Sequence, residues 1–453
     1  MHLKLSEVAK VLGTSWRHTH DPLVCGVSTD TRCLSSGELF FALRGERFDG
    51  HAYLSEAEQK GAVAAVVTRA SSGVSLPQIE VPDTRKALGL LAAHWHQLCG
   101  ASTIGITGSV GKTTVKTLLA CLLEPHVCVT QGNFNNDIGV PLTLFSESPD
   151  DKFAVIEMGA NAAGEIGYLA SLARPRVGVL TAIAPAHVKG FGSVEGIARA
   201  KSELFASLPE DGAAVTTVDV AKWRAVRDAI GQRRLKRVAL AREPGADLWI
   251  EQTNVKDDVW HVKTGGCLQI DFQLPLLGQH NLQNALLALA AASQMEVDLT
   301  EAVQRWQNLK PVAGRMEKLP GLRGSTLIND AYNASPASVR AAIDWLATQP
   351  GRRILVLGDM AELGNEASRY HQEMGNYASQ QGIDQLLGIG ELSEAAVMGF
   401  SGNAEHFANA DALCAYLQQH LTRGDVVLFK GSRVMALERV ITHLREKEQE
   451  EGL

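Results

Sequence analysis

Gly105-Ile-Thr-Gly-Ser-Val-Gly-Lys112-Thr113-Thr114 follows directly on the apolar run 103–107 and leads directly into a helical pattern. Strand, glycine-rich turn and helix are what a phosphate-binding loop requires. Small residues let successive backbone N–H groups turn inward on an anion, and the helix N-terminus adds positive potential. On this reading Gly108, Ser109, Val110, Gly111 and Thr114 cradle the phosphates, Lys112 reaches the β- and γ-phosphates, and the Thr113 hydroxyl takes a Mg²⁺ ion. Ile106 stands where G-x-x-x-x-G-K-[ST] has its first glycine, so the pattern is the shorter T-G-x-x-G-K-T form. The loop predicts nucleotide use without naming a reaction. A GTPase is disfavoured, since no N-K-x-D base reader follows; on the loop alone a small-molecule kinase and a nucleotide-switched binding protein stay open.

Outward from the loop the text alternates strand and helix. Strand patterns at 103–107, 153–157, 177–183 and 214–218 predict a parallel sheet flanked by helices, entered through a helix that opens at Asp83. Upstream, short apolar runs at 39–43 and 62–67 with a helical pattern at 52–60 predict a small α/β unit. Residues 237–277 alternate apolar and polar positions, with Gly265-Gly266 as a turn, and predict an antiparallel annex. Helices are expected at 281–295 and 300–309. Pro311 to Gly314 reads as a hinge into a second doubly wound sheet, with strands at 326–329, 354–357, 385–389 and 426–429. The expectation is an α/β chain of three domains: a small N-terminal α/β domain (1–82), a central P-loop parallel-sheet ATPase domain (83–312) and a C-terminal Rossmann-like domain (313–453).

Composition narrows the classes. Of 453 residues 45% are apolar and 21% charged, which is globular usage. A net charge of −7 leaves no basic excess for a polynucleotide. The longest apolar stretch, 285–292, is far too short for a membrane helix, and residues 1–12 read as amphipathic, with no export signal. Seven scattered cysteines without C-x-x-C spacing suggest neither a disulfide framework nor a zinc site. A cytoplasmic monomer is expected.

Several side chains are candidates on chemistry alone. Glu157 ends an apolar strand and His187 lies in the loop after the next one, at the edge where open parallel sheets place ligands; both could hold a metal beside Lys112. Lys201 sits in the helical stretch 194–208. Ser28, Thr29, Arg32, Arg44, Arg47 and His51 form a polar, largely basic set that could donate to an anion. Asn135, Asn136 and Asp137, in Gly132-Asn-Phe-Asn-Asn-Asp137, form an amide-rich loop whose side chains donate and accept together. Lys430, Ser432 and Arg433 stand between a strand and a helix as an anion site for a carboxylate.

Together these segments resemble the Mur ligase family, the ATP-dependent amide ligases of bacterial cell-wall precursor synthesis, over the whole chain. Thr107-Gly-Ser-Val-Gly-Lys112-Thr113 resembles the family's ATP loop, Glu157 its metal-binding glutamate, His187 its second-metal histidine, and Gly278-Gln-His-Asn281-Leu-Gln-Asn284 its element near the adenine. Arg315 resembles the hinge arginine. Where the diaminopimelate- or lysine-adding sister would show D-Y-A-H-x-P, this chain has Asn329-Asp330-Ala-Tyr-Asn333-Ala-Ser-Pro336, and the sister's D-N-P-R-type segment is absent; Gly358-Asp-Met-Ala-Glu-Leu-Gly364 adds to the resemblance. The resemblance implies ATP and two Mg²⁺ ions as cofactors, a carbamylated Lys201 bridging metal, and Asp330 and Asn333 near the nucleotide. It implies UDP-N-acetylmuramoyl-tripeptide and D-alanyl-D-alanine as substrates, joined through an acyl phosphate.

Overall fold

The computed structural model describes residues 1–16, 18–45, 48–185 and 188–446, with the backbone alone at 188 and 189. Among the described residues the strands form four sheets. The largest has nine strands in the order Asp271–Leu274, Val259–Gly266, Leu248–Lys256, Arg234–Ala239, Ala213–Thr217, Val177–Leu180, Ser102–Thr107, Phe153–Glu157, Val127–Val129. Its seven strands from Leu248–Lys256 to Val127–Val129 run parallel, and the other two are added through antiparallel pairs, so that Val259–Gly266 alone runs the opposite way.

Alternation inside the parallel strands decides which core each residue enters. Ile104, Ile106 and Val155 join Leu118, Leu119 and Leu122 of helix Lys112–Leu123 and the apolar helix Gln279–Ala292 on one face. Ala154 and Ile156 join Leu88, Leu91 and Trp95 of helix Thr84–Cys99 on the other, in a core that also holds Leu39, Phe41, Val66 and Ile79 of the N-terminal four-stranded parallel sheet. Helix Thr84–Cys99 thereby ties the two sheets together. The Asp83 carboxylate accepts from the Arg85 and Lys86 amides at 2.9 and 3.1 Å, which is a side-chain N-cap.

The C-terminal six-stranded sheet has the order Glu317–Gly321, Ser325–Asn329, Val426–Lys430, Arg353–Gly358, Gln385–Ile389, Asn403–Phe407. All neighbours except the first pair run parallel. Inserting the last strand between the second and fourth brings Asp330, Lys430 and Asp359 to one edge.

Three local expectations differ from the fold. The annex is continuous with the central sheet, because Leu248–Lys256 pairs parallel with Arg234–Ala239. Its hairpin turns at Asp257-Asp258, both at positive φ (52° and 62°), which Asp tolerates better than most residues. Gly265 and Gly266 instead end a strand under Trp249, where an added Cβ would lie 2.6 and 2.7 Å from the indole. Residues 299–308 split into a short α-helix, Leu299–Ala302, and a 3-10 turn, Val303–Asn308. That break lets Trp306 donate to the Leu118 carbonyl at 3.0 Å. The strands Glu317–Gly321 and Asn403–Phe407 escape the sequence pattern because they carry too few apolar residues, reading EKLPG and NAEHF, to show a strand period.

Candidate active site

Register assembles the site. Ile106 pairs with Glu157 and Thr107 with Leu180, so the phosphate loop, Glu157 and the chain leaving Leu180 emerge at one sheet edge. The loop glycines are required: Gly108 and Gly111 have φ of 150° and 87°, and a Cβ on Gly108 would lie 1.9 Å from Thr181 Oγ1. Ser109 Oγ donates to the Ala184 carbonyl at 2.9 Å and accepts from the Ala184 amide at 3.0 Å, pinning the loop to the next strand's exit. Helix Lys112–Leu123 starts without a side-chain cap. Its first amide N–H groups have no intrahelical acceptor and face an incoming anion.

Lys112 folds back so that Nζ donates to the Gly108 carbonyl at 2.7 Å. Burial of its ammonium pushes its pKa down, against the pull of Glu157. Glu157 is the hub. Its Oε1 accepts from Asn135 Nδ2 at 2.9 Å, and its Oε2 from Thr113 Oγ1 at 3.1 Å with Lys116 Nζ also at 3.1 Å. Burial works to raise its pKa, but Lys116, Lys112 and the Asn135 amide outweigh it and hold the carboxyl below its ordinary value. Lys201 is buried, with Nζ 5.8 Å from the Phe191 ring centroid. Burial, helped by Lys112, lowers its pKa to about 7.

These groups open on a cleft of about 1230 Å³. The central sheet lines it with Gly108–Thr113, Asn135–Asp137, Glu157 and Lys201, and the C-terminal sheet with Tyr332, Asn333, Ser335, Ser432 and Arg433. Arg315 bridges the two: its guanidinium donates to Thr113 Oγ1 at 2.9 Å and lies 4.4 Å over the Tyr332 ring. A smaller adjoining pocket is lined by Thr114, His280, Asn281, Asn284 and Asp330. There Asn281 Nδ2 donates to the Leu277 carbonyl at 2.7 Å and Asn284 Nδ2 to Asn281 Oδ1 at 3.0 Å.

The remaining expected residues divide. Asn136 Oδ1 accepts from the amides of Ile138 and Gly139 at 3.2 and 2.8 Å, so it holds a turn as well as facing the cleft. Asp137 is paired with Arg85 at 2.8 Å. Lys430 is turned beneath the cleft and buried, its Nζ 2.7 Å from Asp330 Oδ2 and 3.0 Å from the Asn333 carbonyl. In this arrangement its charge is committed to Asp330, and Ser432 and Arg433 are the members of that trio that reach the cleft. Ser28, Arg32, Arg44 and His51 do not line it. Arg32 grips Asp30 through Nε and Nη2 at 2.6–3.0 Å and holds that carboxyl at about 2. His51 Nε2 accepts from the Thr68 amide at 3.0 Å, which leaves Nδ1–H to donate to Asp49 at 2.6 Å. Thr29 sits in the same N-terminal loop. Arg47 and His187 lie outside the described residues. Lys116 and Arg85 were invisible to sequence reasoning, because a helical lysine and a post-cap arginine carry no spacing signal, and Tyr332 stood in the segment 329–336 without being singled out.

The residues present fit the implied groups. The glycine-rich loop and the uncapped helix start have the form of a phosphate cradle, and Thr113 and Glu157 offer oxygens on one edge. Among the described residues no three His, Cys, Asp or Glu side chains gather at one point. Such a site suits Mg²⁺, which takes one or two protein oxygens and completes its shell with phosphates and water.

Comparison with known proteins agrees along the chain. Residues 24–96 match the Mur ligase family catalytic domain, 106–292 the Mur ligase middle domain, and 314–433 the Mur ligase glutamate ligase domain. The UDP-N-acetylmuramoyl-tripeptide--D-alanyl-D-alanine ligase of Escherichia coli is 41% identical over 432 residues, covering 93% of each chain. The enzyme of the same name from Bacillus subtilis is 36% identical, covering 94% of each. A crystal structure of MurF from Acinetobacter baumannii superposes with a TM-score of 0.91 at 29% identity over 98% of both chains. MurF from Thermotoga maritima in complex with ADP gives 0.82 at 26%, over 93% of this chain and 97% of that one. With a phosphate loop, a buried glutamate and a bridging arginine meeting in one cleft, and relatives of this identity along its length, the chain belongs to the Mur ligase family.

Proposed function

We propose that the protein is an ATP-dependent amide ligase that adds D-alanyl-D-alanine to UDP-N-acetylmuramoyl-tripeptide in peptidoglycan precursor synthesis. The observation that carries this is the single cleft in which the phosphate loop and Glu157 face the amide loop Asn135–Asp137 and the C-terminal wall of Ser335, Ser432 and Arg433. The tripeptide carboxylate attacks the γ-phosphorus of ATP, ADP leaves, and an acyl phosphate forms. The dipeptide amine then attacks the acyl carbon, the C–O bond to phosphate breaks, and the amine gives up its proton.

The chain's part is positioning and charge. Lys112 and the loop amides hold the β- and γ-phosphates and stabilise charge moving between them. Arg315 brings a second cation from the C-terminal side. Thr113, Glu157 and a carbamylated Lys201 would hold Mg²⁺, with His187 in the second-metal role the resemblance gives it; bound there, the metal screens carboxylate from triphosphate. Carbamylation of Lys201 is supported by its burial and its pKa of about 7, since a neutral amine is the form that adds CO₂. A carbamate is a carboxylate in charge and geometry and turns a repelling cation into an oxygen ligand. Ser28, Thr29, Arg32, Arg44, Arg47 and His51 belong in this reading to the uridine-diphosphate end, within a domain spanning 1–82. The central domain then spans 83–312 and the C-terminal one 313–453. Reliance on ATP supports a cytoplasmic enzyme, which we read as a monomer.

Mass analysis of products tests the proposal. Phosphate release should require ATP, the nucleotide-tripeptide and D-alanyl-D-alanine together, with a mass gain of one dipeptide less water and single amino acids far poorer acceptors. Faster reaction of the dipeptide-bearing nucleotide with diaminopimelate or lysine would move the assignment to the sister ligase.

A further inference from the structure

Lys116 stands one helical turn after Lys112 and is buried almost completely, with 5% of its surface exposed. Its Nζ lies 3.1 Å from Glu157 Oε2 and donates to the Gly132 carbonyl at 3.0 Å. The other two donors on Glu157, the Thr113 hydroxyl and the Asn135 amide, are neutral and can turn away when a ligand competes. Lys116 is different. It carries a full charge, and a second bond to Gly132 and the surrounding core keep it from swinging into water.

We propose that Lys116 is a built-in counter-cation that keeps a free divalent ion off Glu157 until a polyphosphate is seated, so that metal enters the site only together with nucleotide. A cation approaching Oε2 of the nucleotide-free enzyme meets the Lys116 ammonium, with Lys112 and Arg315 adding positive charge close by. A seated triphosphate reverses the balance, because its negative charges neutralise Lys112 and Arg315 and supply the oxygens the metal lacks. The bond from Lys116 to Gly132, at the head of the amide loop, gives the same ammonium a resting partner when the metal takes Glu157. The inference rests on the reading that Glu157 is a metal ligand.

Mn²⁺, whose free ion gives an electron paramagnetic resonance signal, is the probe. In nucleotide-free full-length enzyme, Lys116→Met and Lys116→Gln should bind Mn²⁺ about tenfold more tightly or better than wild type, since a like charge at contact distance is gone. Wild type should gain affinity of similar size on adding ADP. Unchanged Mn²⁺ affinity in either folded variant would overturn the proposal. If both variants fail to fold, wild type decides: Mn²⁺ binding as tight without ADP as with it overturns the idea. The metal reading is tested separately. Glu157→Gln should lose the ADP-dependent Mn²⁺ site, and its retention would remove Glu157 as a ligand whatever Lys116 does.

Discussion

Lys201 shows what one buried amine imposes. Its folded pKa of about 7 against an ordinary 10.5 means that the folded chain holds this proton less tightly than the unfolded chain. The unfolded state binds the extra proton between those values, so the penalty is fully present below about 7 and fades as pH rises toward 10.5. Lys201→Met should therefore be more stable than the wild type at pH 7 in CO₂-free buffer by roughly 2–4 kcal/mol, with the gap closing at high pH, as urea unfolding would show. Lys201→Ala should be impaired as an enzyme and partly restored by short carboxylic acids; full activity without them would remove the carbamate from the mechanism. Lys430 makes the complementary point. A lysine between a strand and a helix reads as an anion ligand, yet its partner is Asp330, one hundred positions earlier in the chain.

Helix Thr84–Cys99 was legible at the scale of an element because its signals are local. Asp83 caps it, Ala87, Leu88, Leu91, Ala92 and Trp95 recur on one face, and Gly100 ends it in the left-handed region with φ of 77°. Asp83→Ala should lower stability by about 1 kcal/mol in urea unfolding. Asp83 and Arg85 also line the cleft, and Arg85 braces Asp137. Fraying of that first turn should therefore raise KM for the nucleotide-tripeptide while leaving KM for ATP unchanged in steady-state kinetics. The hairpin at Asp257-Asp258 was not legible, because a Gly-Gly pair nearby gives the stronger turn signal. What reassigns those glycines is the Trp249 ring lying across them, a contact between strands rather than a property of either.

At the scale of the whole molecule one bond joins distant segments across the cleft, from Arg315 to Thr113, 202 residues apart. Arg315→Met should lower kcat on the order of 10²-fold and weaken ADP binding, since a cation beside the phosphates is lost where charge develops; near-normal turnover would show that the bridge is architectural. The sequence by itself determined the phosphate loop, the strand and helix alternation around it, the capped helices and the family resemblance. All of these are written in neighbouring residues, where spacing follows the backbone period and a motif's atoms are covalently held within reach. Only the tertiary structure decided that Glu157 is shared by Thr113, Asn135 and Lys116, that Lys430 is held by Asp330, and that Arg85 steadies the amide loop. Those pairings join segments whose separation along the chain has no period to read, and they arise because sheet register and core packing bring the side chains within bonding distance.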